Sequence, residues 1–331
     1  MAPSQISFAD HFTDSRLGSN KPLEAIDALI DWTPLEAQAR EIRKGQTGRP
    51  PYAALAMLKA LYLQTLYQLS DPQLESALLD RLSFRRFCGF GLDERTPDET
   101  TILRFRHAAA EVGLLEACFE AVNAQLETKG LIVKKGTLID ATLTEAAHNK
   151  PPFEKGAASA RSPHSPDATF TRKNNKTYFG YKQSIGVDEG SLLVRRIVVT
   201  PNCVSDSEAA DALICGDERA VYADRGYTQK ARRERLAGAG IKDRIMHRRT
   251  SNRKPLPPWK ERLNKLISRR RAPVEGVFSV VKRLYGQGRA RCHRLGTVSV
   301  DAVAAVTVYN LKRAVHLLEP PNRRRRAPAG A

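Results

Sequence analysis

The sequence has no apolar run approaching the ~20 residues that span a bilayer, so a membrane-spanning protein is not expected. The opening MAPSQISFADHF lacks the basic start and apolar core of a signal peptide. Cysteine is scarce: Cys88, Cys118, Cys203, Cys215 and Cys292 are odd in number, scattered and never spaced as a metal pair. A reducing cytosol is expected, and no zinc site is indicated. Acid is short in one stretch above all. Residues 241–294 hold 17 Lys and Arg against three Asp and Glu, an excess of +14 within a formal net charge of +18. Arg323–Arg326 add +4, and the remainder sums to zero. Such a segment predicts a polyanionic partner, most simply nucleic acid, whereas Arg323–Arg326 read as a solvated tail.

What is present organises into parts. At 331 residues, 41% hydrophobic and 27% charged, the chain is long enough for two domains. Residues 1–20 show no periodicity and read as an arm. Residues 21–128 are all-α in pattern: Asn20 and Thr33 precede Pro22 and Pro34, Tyr52 to Leu69 carries a Leu-rich stripe, and Ser70-Asp71-Pro72 starts another helix. Further helices fit Asp98 to Arg106 and Glu111 to Glu127. Arg85, Arg86, Arg104 and Arg106 are expected at the surface of either a helix-turn-helix that reads DNA or a plain bundle, and spacing does not separate the two.

After Gly130 the period changes to that of strands, over Leu131–Val133, Thr137–Leu143, Tyr178–Val187 and Leu192–Thr200. Residues 150–177 read as a mobile loop. A helix from Asp206, a strand Ala220–Asp224, a basic helix Gln229–Ala237 and a strand Ile241–Met246 follow. Then come a Pro-rich loop at Lys254–Pro258, a helix bearing Glu275, and a closing helix from Val300 to Leu318, leaving 319–331 as a basic tail. In the Glu275 helix, Val274, Val277, Phe278 and Val281 form one apolar face behind Pro273. That leaves Glu275 amid Arg269, Arg270, Arg271, Lys282 and Arg283, an acid fit to hold a metal among cations fit to grip phosphates.

Three acids stand out: Asp140 after the strand TLI, Asp224 ending VYA, and Glu275. Three converging carboxylates suit a hard cation, and two such ions about 3.5–4 Å apart can activate water against a phosphodiester. Asp188, Asp206 and Asp217 also stand near element ends, and pattern alone does not choose among them.

The order of pieces resembles the RNase H-like core of DDE transposases, and more narrowly those of bacterial insertion sequences in the group named after insertion sequence five. The matching residues are Ile139-Asp140-Ala141-Thr142, Tyr178 to Lys182 with Gly186-Val187-Asp188, Ala223-Asp224-Arg225-Gly226-Tyr227, and Arg271, Glu275 and Lys282 at the family's late spacing. Ser268 stands where that signature has Tyr, and Gly276 follows the acid where His is frequent. In the N-terminal half, Gly48 to Tyr52, Leu69-Ser70-Asp71, and Leu82 to Phe87 with Pro97-Asp98 resemble the group's leader domain.

The resemblance implies an α/β fold, an RNase H-like mixed sheet flanked by helices over 129–318, preceded by a helical domain at 21–128 for DNA-end binding or dimerisation. It implies a transposase that cuts DNA at insertion-sequence ends and transfers the strand into target DNA. Asp140, Asp224 and Glu275 would be its catalytic, metal-binding residues, holding two Mg²⁺ ions with Mn²⁺ as substitute. Arg271, Lys282 and Arg225, with Arg269, Arg270 and Arg283, would contact DNA. Tyr227 and Trp259 are open to base stacking or to core and loop anchoring. A homodimer on paired terminal inverted repeats, in the bacterial cytoplasm at the nucleoid, is expected. A nuclease that cuts without joining, or a catalytically silent DNA-binding descendant, are the alternatives.

Overall fold

The computed structural model describes residues 19–42, 52–148, 162, 164–173, 175–249 and 255–319. It forms two compact units, one comprising Met1–Gln125 with Val303–Ala331 and the other Leu126–Ala302.

The first unit is helical: α1 (Lys21–Leu29), α2 (Thr33–Arg40), α3 (Ala54–Leu66), α4 (Asp71–Asp80), α5 (Leu82–Cys88), α6 (Glu99–Val112) and α7 (Leu114–Thr128), the last running on into the second unit. Its starts are written locally. Asn20 caps α1 through Leu23 N–H, Ser70 and Gln73 close a capping box on α4, and the Asp98 carboxylate accepts from Thr101 N–H at 2.6 Å. Helix α3 is buried nearly all round, as an apolar helix at the centre of a bundle must be.

Two of the four arginines expected at the surface are inside. Arg106 donates to both Asp71 oxygens, at 2.5 and 3.1 Å, and to Gln64 Oε1 at 2.7 Å. Arg85 donates to the carbonyls of Gly91, Leu92 and Glu94 and so closes the loop after α5. Arg86 and Arg104 are exposed. Arginine counts as surface in a periodicity reading, yet its five donors can equally knit buried acceptors together. Arg106→Met is expected to destabilise this unit by about 3 kcal/mol, because the Asp71 carboxylate loses its cationic partner and Gln64 Oε1 loses a donor. The measurement is the thermal unfolding midpoint; an unchanged midpoint would refute the network's role.

The second unit holds β1 (Thr137–Glu145), β2 (Thr169–Lys173), β3 (Lys176–Asp188), β4 (Val194–Pro201) and the short α8 (Asp206–Ala209), which continues as a 3₁₀ turn, Ala210–Leu213. Next come β5 (Ala220–Ala223), a 3₁₀ turn at Arg225–Tyr227, α9 (Lys230–Gly238), β6 (Lys242–Ile245), α10 (Pro258–Arg271), α11 (Pro273–Leu284) and the start of α12 (Leu295–Leu318). Strand β3 pairs antiparallel with β1 on one side and with β2 and β4 on the other, while β1, β5 and β6 run parallel. The order β4–β3–β1–β5–β6 is that of the RNase H-like sheet expected from the sequence. Phe179 to Asp188 are all buried, so this stretch of β3 is covered on both faces.

Three expectations change. Part of the segment read as a loop over 150–177 is strand β2. Leu131–Val133 is not a strand, because the amides of Val133 and Lys134 donate to the buried Asp188 carboxylate at 3.1 and 2.7 Å rather than to a ladder. Helix α10 falls where no element was read. Ile267 is its one buried residue, so the helix presents almost no apolar period.

Candidate active site

The parallel pairing of β1 with β5 sets Thr137 against Val221 and Leu138 against Tyr222. Continued by two residues, that register brings Asp140 on β1 beside Asp224, the first residue past β5. The preceding residues Ile139 and Ala223 are buried in one apolar cluster with Tyr227, Leu236 and Ile245, so the strands supply a rigid floor. Both acids are partly buried.

Each carboxylate is held by one local contact. Asp140 Oδ1 accepts from Ala141 N–H at 3.0 Å, and Asp224 Oδ1 accepts from Gly226 N–H at 2.7 Å, which turns the chain into Arg225–Tyr227. A Cβ at Gly226 would lie 2.9 Å from Asp224 Oδ1, so a side chain there would push that carboxylate aside. Burial pushes the Asp140 carboxyl above its ordinary range. The Arg271 guanidinium and the Ala141 amide oppose the rise, and the charge of Asp224 adds to it. The two acids therefore feel each other.

The late helices are pinned to β1 at two points. Arg271, ending α10, places Nη1 2.6 Å from Asp140 Oδ2. Lys282, on α11, donates to the Leu143 carbonyl at 2.7 Å, and its pKa is lowered by burial and by nearby Lys173. Val274, Val277, Phe278 and Val281 are buried, as their spacing requires, and Glu275 stands exposed between the two pins, four residues past Arg271. Arg271 thus pairs with Asp140 and not with the neighbouring Glu275.

The other acids near element ends are taken up elsewhere. Asp188 holds the backbone of residues 133–134 and the Ser191 hydroxyl; Asp206 pairs with Lys182 at 2.7 Å. Asp217, despite burial that would raise it, is drawn down to about 2 by Lys134 and Arg195, at 2.8 and 2.6 Å. Asp217 and Glu218 lie with Cys215 in metal-ligand proximity, but both carboxylates face Arg195 and Glu218 also accepts from two backbone amides.

Of the expected DNA-contacting cations, Arg225, Arg269 and Arg283 are exposed, and Arg270 pairs with Glu189 at 2.7 Å. Lys282 is half-buried on its carbonyl. Tyr227 is 1% exposed, so it anchors the core and cannot stack on a base; Trp259 is 58% exposed.

One residue essential to the geometry, Arg232, carries no sequence signal of its own. Arg232, buried in a helix that reads as basic surface, bonds Asp211, the Ser207 hydroxyl and carbonyl, and the Tyr227 carbonyl. It ties the turn after Asp224 to the segment after β4. Tyr227 has a buried hydroxyl without a hydrogen-bond partner, and it feels, besides its burial, the charges of Asp206, Asp140 and Asp224. The buried Nε of Arg271 likewise lacks an acceptor. Paired carboxylates with orphaned donors around them form a site built for further charged groups: a hard cation for the acids and an anion for the arginine.

A family model described as a transposase DDE domain matches residues 132–311, and one described as a transposase domain (DUF772) matches residues 11–108. Among solved structures, the chain is similar to a piggyBac transposase synaptic complex with hairpin DNA, at 12% identity and a TM-score of 0.39. The similarity covers 93% of this chain and 82% of that one. No helix among the described residues is long and apolar enough to cross a membrane.

Proposed function

We propose a catalytic centre from one premise: this chain belongs to the DDE transposase family, whose members act on DNA as nucleases and transesterases with divalent metal ions. Asp140, Asp224 and Glu275 hold two such ions, Mg²⁺ in the cell with Mn²⁺ as substitute. When bound, the ions lower the pKa of an attacking water and polarise the scissile phosphate. The register of β1 on β5 carries this reading, because it sets two carboxylates together on a buried floor, with no need for loop closure to assemble them.

The protein's own groups do the rest. Arg271 and the exposed Arg225 receive phosphate oxygens beside the cut, and Arg269 and Arg283 extend that contact along the backbone. Lys282 fixes α11 against β1 and so sets where Glu275 stands. In the first step water attacks phosphorus at the element's end and the 3′ oxygen leaves. In the second, that 3′-OH attacks a target phosphodiester, whose own 3′ oxygen leaves. Both are in-line displacements, so one set of carboxylates serves both. Acting on paired terminal inverted repeats, the protein works as a homodimer.

The test is cleavage of a labelled duplex carrying the element's end, with Mg²⁺, by wild type and Glu275→Gln. Nicking at the boundary by wild type alone supports the centre, and equal cutting by both refutes the role of Glu275. Cutting without joining of a pre-cut end would mark a nuclease, and binding without cutting under any divalent ion a silent descendant.

A second expectation separates the site from the fold. Tyr227→Phe removes a hydroxyl that has no partner, so the metal-free protein is expected to keep its unfolding midpoint or gain up to about 1 kcal/mol. The rise in midpoint on adding Mn²⁺ is expected to shrink. A midpoint that falls equally with and without Mn²⁺ would make the hydroxyl purely structural.

A further inference from the structure

Arg271 sits where two functions meet. Its Nη1 lies 2.6 Å from Asp140 Oδ2, the oxygen of that carboxylate not engaged by the Ala141 amide. The guanidinium is 16% exposed, so this is an ion pair largely out of water. Its buried Nε and Nη1 both lack a well-aligned hydrogen-bond acceptor, so the contact with Asp140 is an ion pair alone. Arg232, Arg106 and Arg85 are each held by three or more hydrogen bonds, although Nε of Arg106 and of Arg85 is unbonded as well. Arg271 makes one ion pair, and its partner is the acid that the proposed centre requires for a cation.

A guanidinium at 2.6 Å and a directly coordinated divalent cation, at 2.0–2.6 Å from its oxygens, compete for the same lone pairs. We propose that Arg271 is an exchangeable positioning residue: it occupies Asp140 when the centre is empty, a divalent cation displaces it, and the freed guanidinium goes to a DNA phosphate. This rests on the reading of Asp140 as a metal ligand. The exchange makes cation and DNA binding mutually reinforcing through one side chain, since each removes a cost the other would otherwise meet. It also explains why the residue is arginine: the planar fork donates to a carboxylate and to a phosphate in turn.

The test uses the full-length protein and Mn²⁺, with free Mn²⁺ followed by electron paramagnetic resonance. Without DNA, Arg271→Gln is expected to bind Mn²⁺ roughly fivefold more tightly than wild type, because no cation has to be displaced. Arg271→Lys keeps a displaceable charge and is expected to stay within about twofold of wild type. In wild type, a saturating short duplex is expected to raise Mn²⁺ affinity, and this gain is expected to shrink in Arg271→Gln. Equal or weaker Mn²⁺ binding by Arg271→Gln would overturn the exchange and leave Arg271 as a fixed brace for Asp140. Should that variant not fold, a duplex that leaves wild-type Mn²⁺ affinity unchanged would overturn it alone. Asp140→Asn serves as the control. If it binds Mn²⁺ like wild type, the metal site itself is misassigned; if it loses Mn²⁺ while Arg271→Gln gains nothing, only the exchange fails.

Discussion

Asp224→Asn is expected to lose DNA cleavage by about a thousandfold or more, roughly 4 kcal/mol of barrier, while leaving the fold intact. The substitution is unusually clean here. Asp224 makes one structural contact, accepting from Gly226 N–H at 2.7 Å, and the Asn carbonyl accepts the same bond. What disappears is the charge. Steady-state nicking of a labelled element end gives the rate, and the unfolding midpoint and duplex affinity give the controls. Retained nicking would remove Asp224 from the centre; lost duplex binding would show that the acid acts before chemistry. Asp140→Asn is a harsher change, since it also takes from Arg271 its charged partner.

Gly180→Ala is expected to prevent the catalytic unit from folding, at a cost of about 4 kcal/mol or more. Gly180 has φ +153°, a conformation side chains rarely adopt, in the middle of the longest strand. A Cβ there would fall 2.2 Å from the Thr144 carbonyl oxygen and 2.7 Å from the Ala146 amide. These are backbone atoms of the strand that carries Asp140, and they cannot rotate away. The expected observation is insoluble protein, or soluble protein without a cooperative transition. A folded, active Gly180→Ala would refute the close crossing of β1 and β3.

How far these features could be read beforehand depends on the range of the forces behind them. By pattern Asp188, Asp206 and Asp217 were equal candidates to Asp140 and Asp224, and Asp140 lies inside β1 and not at its end. The strands at Thr137 and Ala220 were legible because an apolar run is a local pattern. The apolar face of α11 was legible for the same reason. The partner of Arg271 was not: Asp140 lies 131 positions earlier, and Glu275, one turn away, was the obvious local candidate. Buried arginines fail the same way. Nothing within a few residues of Arg232 tells of Asp211 or Ser207, and a run such as Lys230-Ala231-Arg232-Arg233 reads as solvated. The failed strand at Leu131–Val133 has the right residues; what decides it is the carboxylate of Asp188, more than fifty residues on, capturing the amides.

The path of the chain through its two units has a consequence for synthesis. The polypeptide builds α1–α7, leaves to form the whole sheet, and returns with Val303 to Leu318 of α12. Those last residues are core: Val303 to Leu311 are buried without a break, and Asn310 donates to Asn123 at 2.8 Å. On the ribosome, the sheet unit, including Glu275, can close as soon as its own residues emerge. The helical unit, although its first seven helices precede the sheet, must wait for Val303 to Leu318 before its core is filled. A chain terminated after Ala302 would therefore carry every proposed catalytic carboxylate and yet lack a wall of the other unit. Premature termination in this protein threatens its beginning more than its middle.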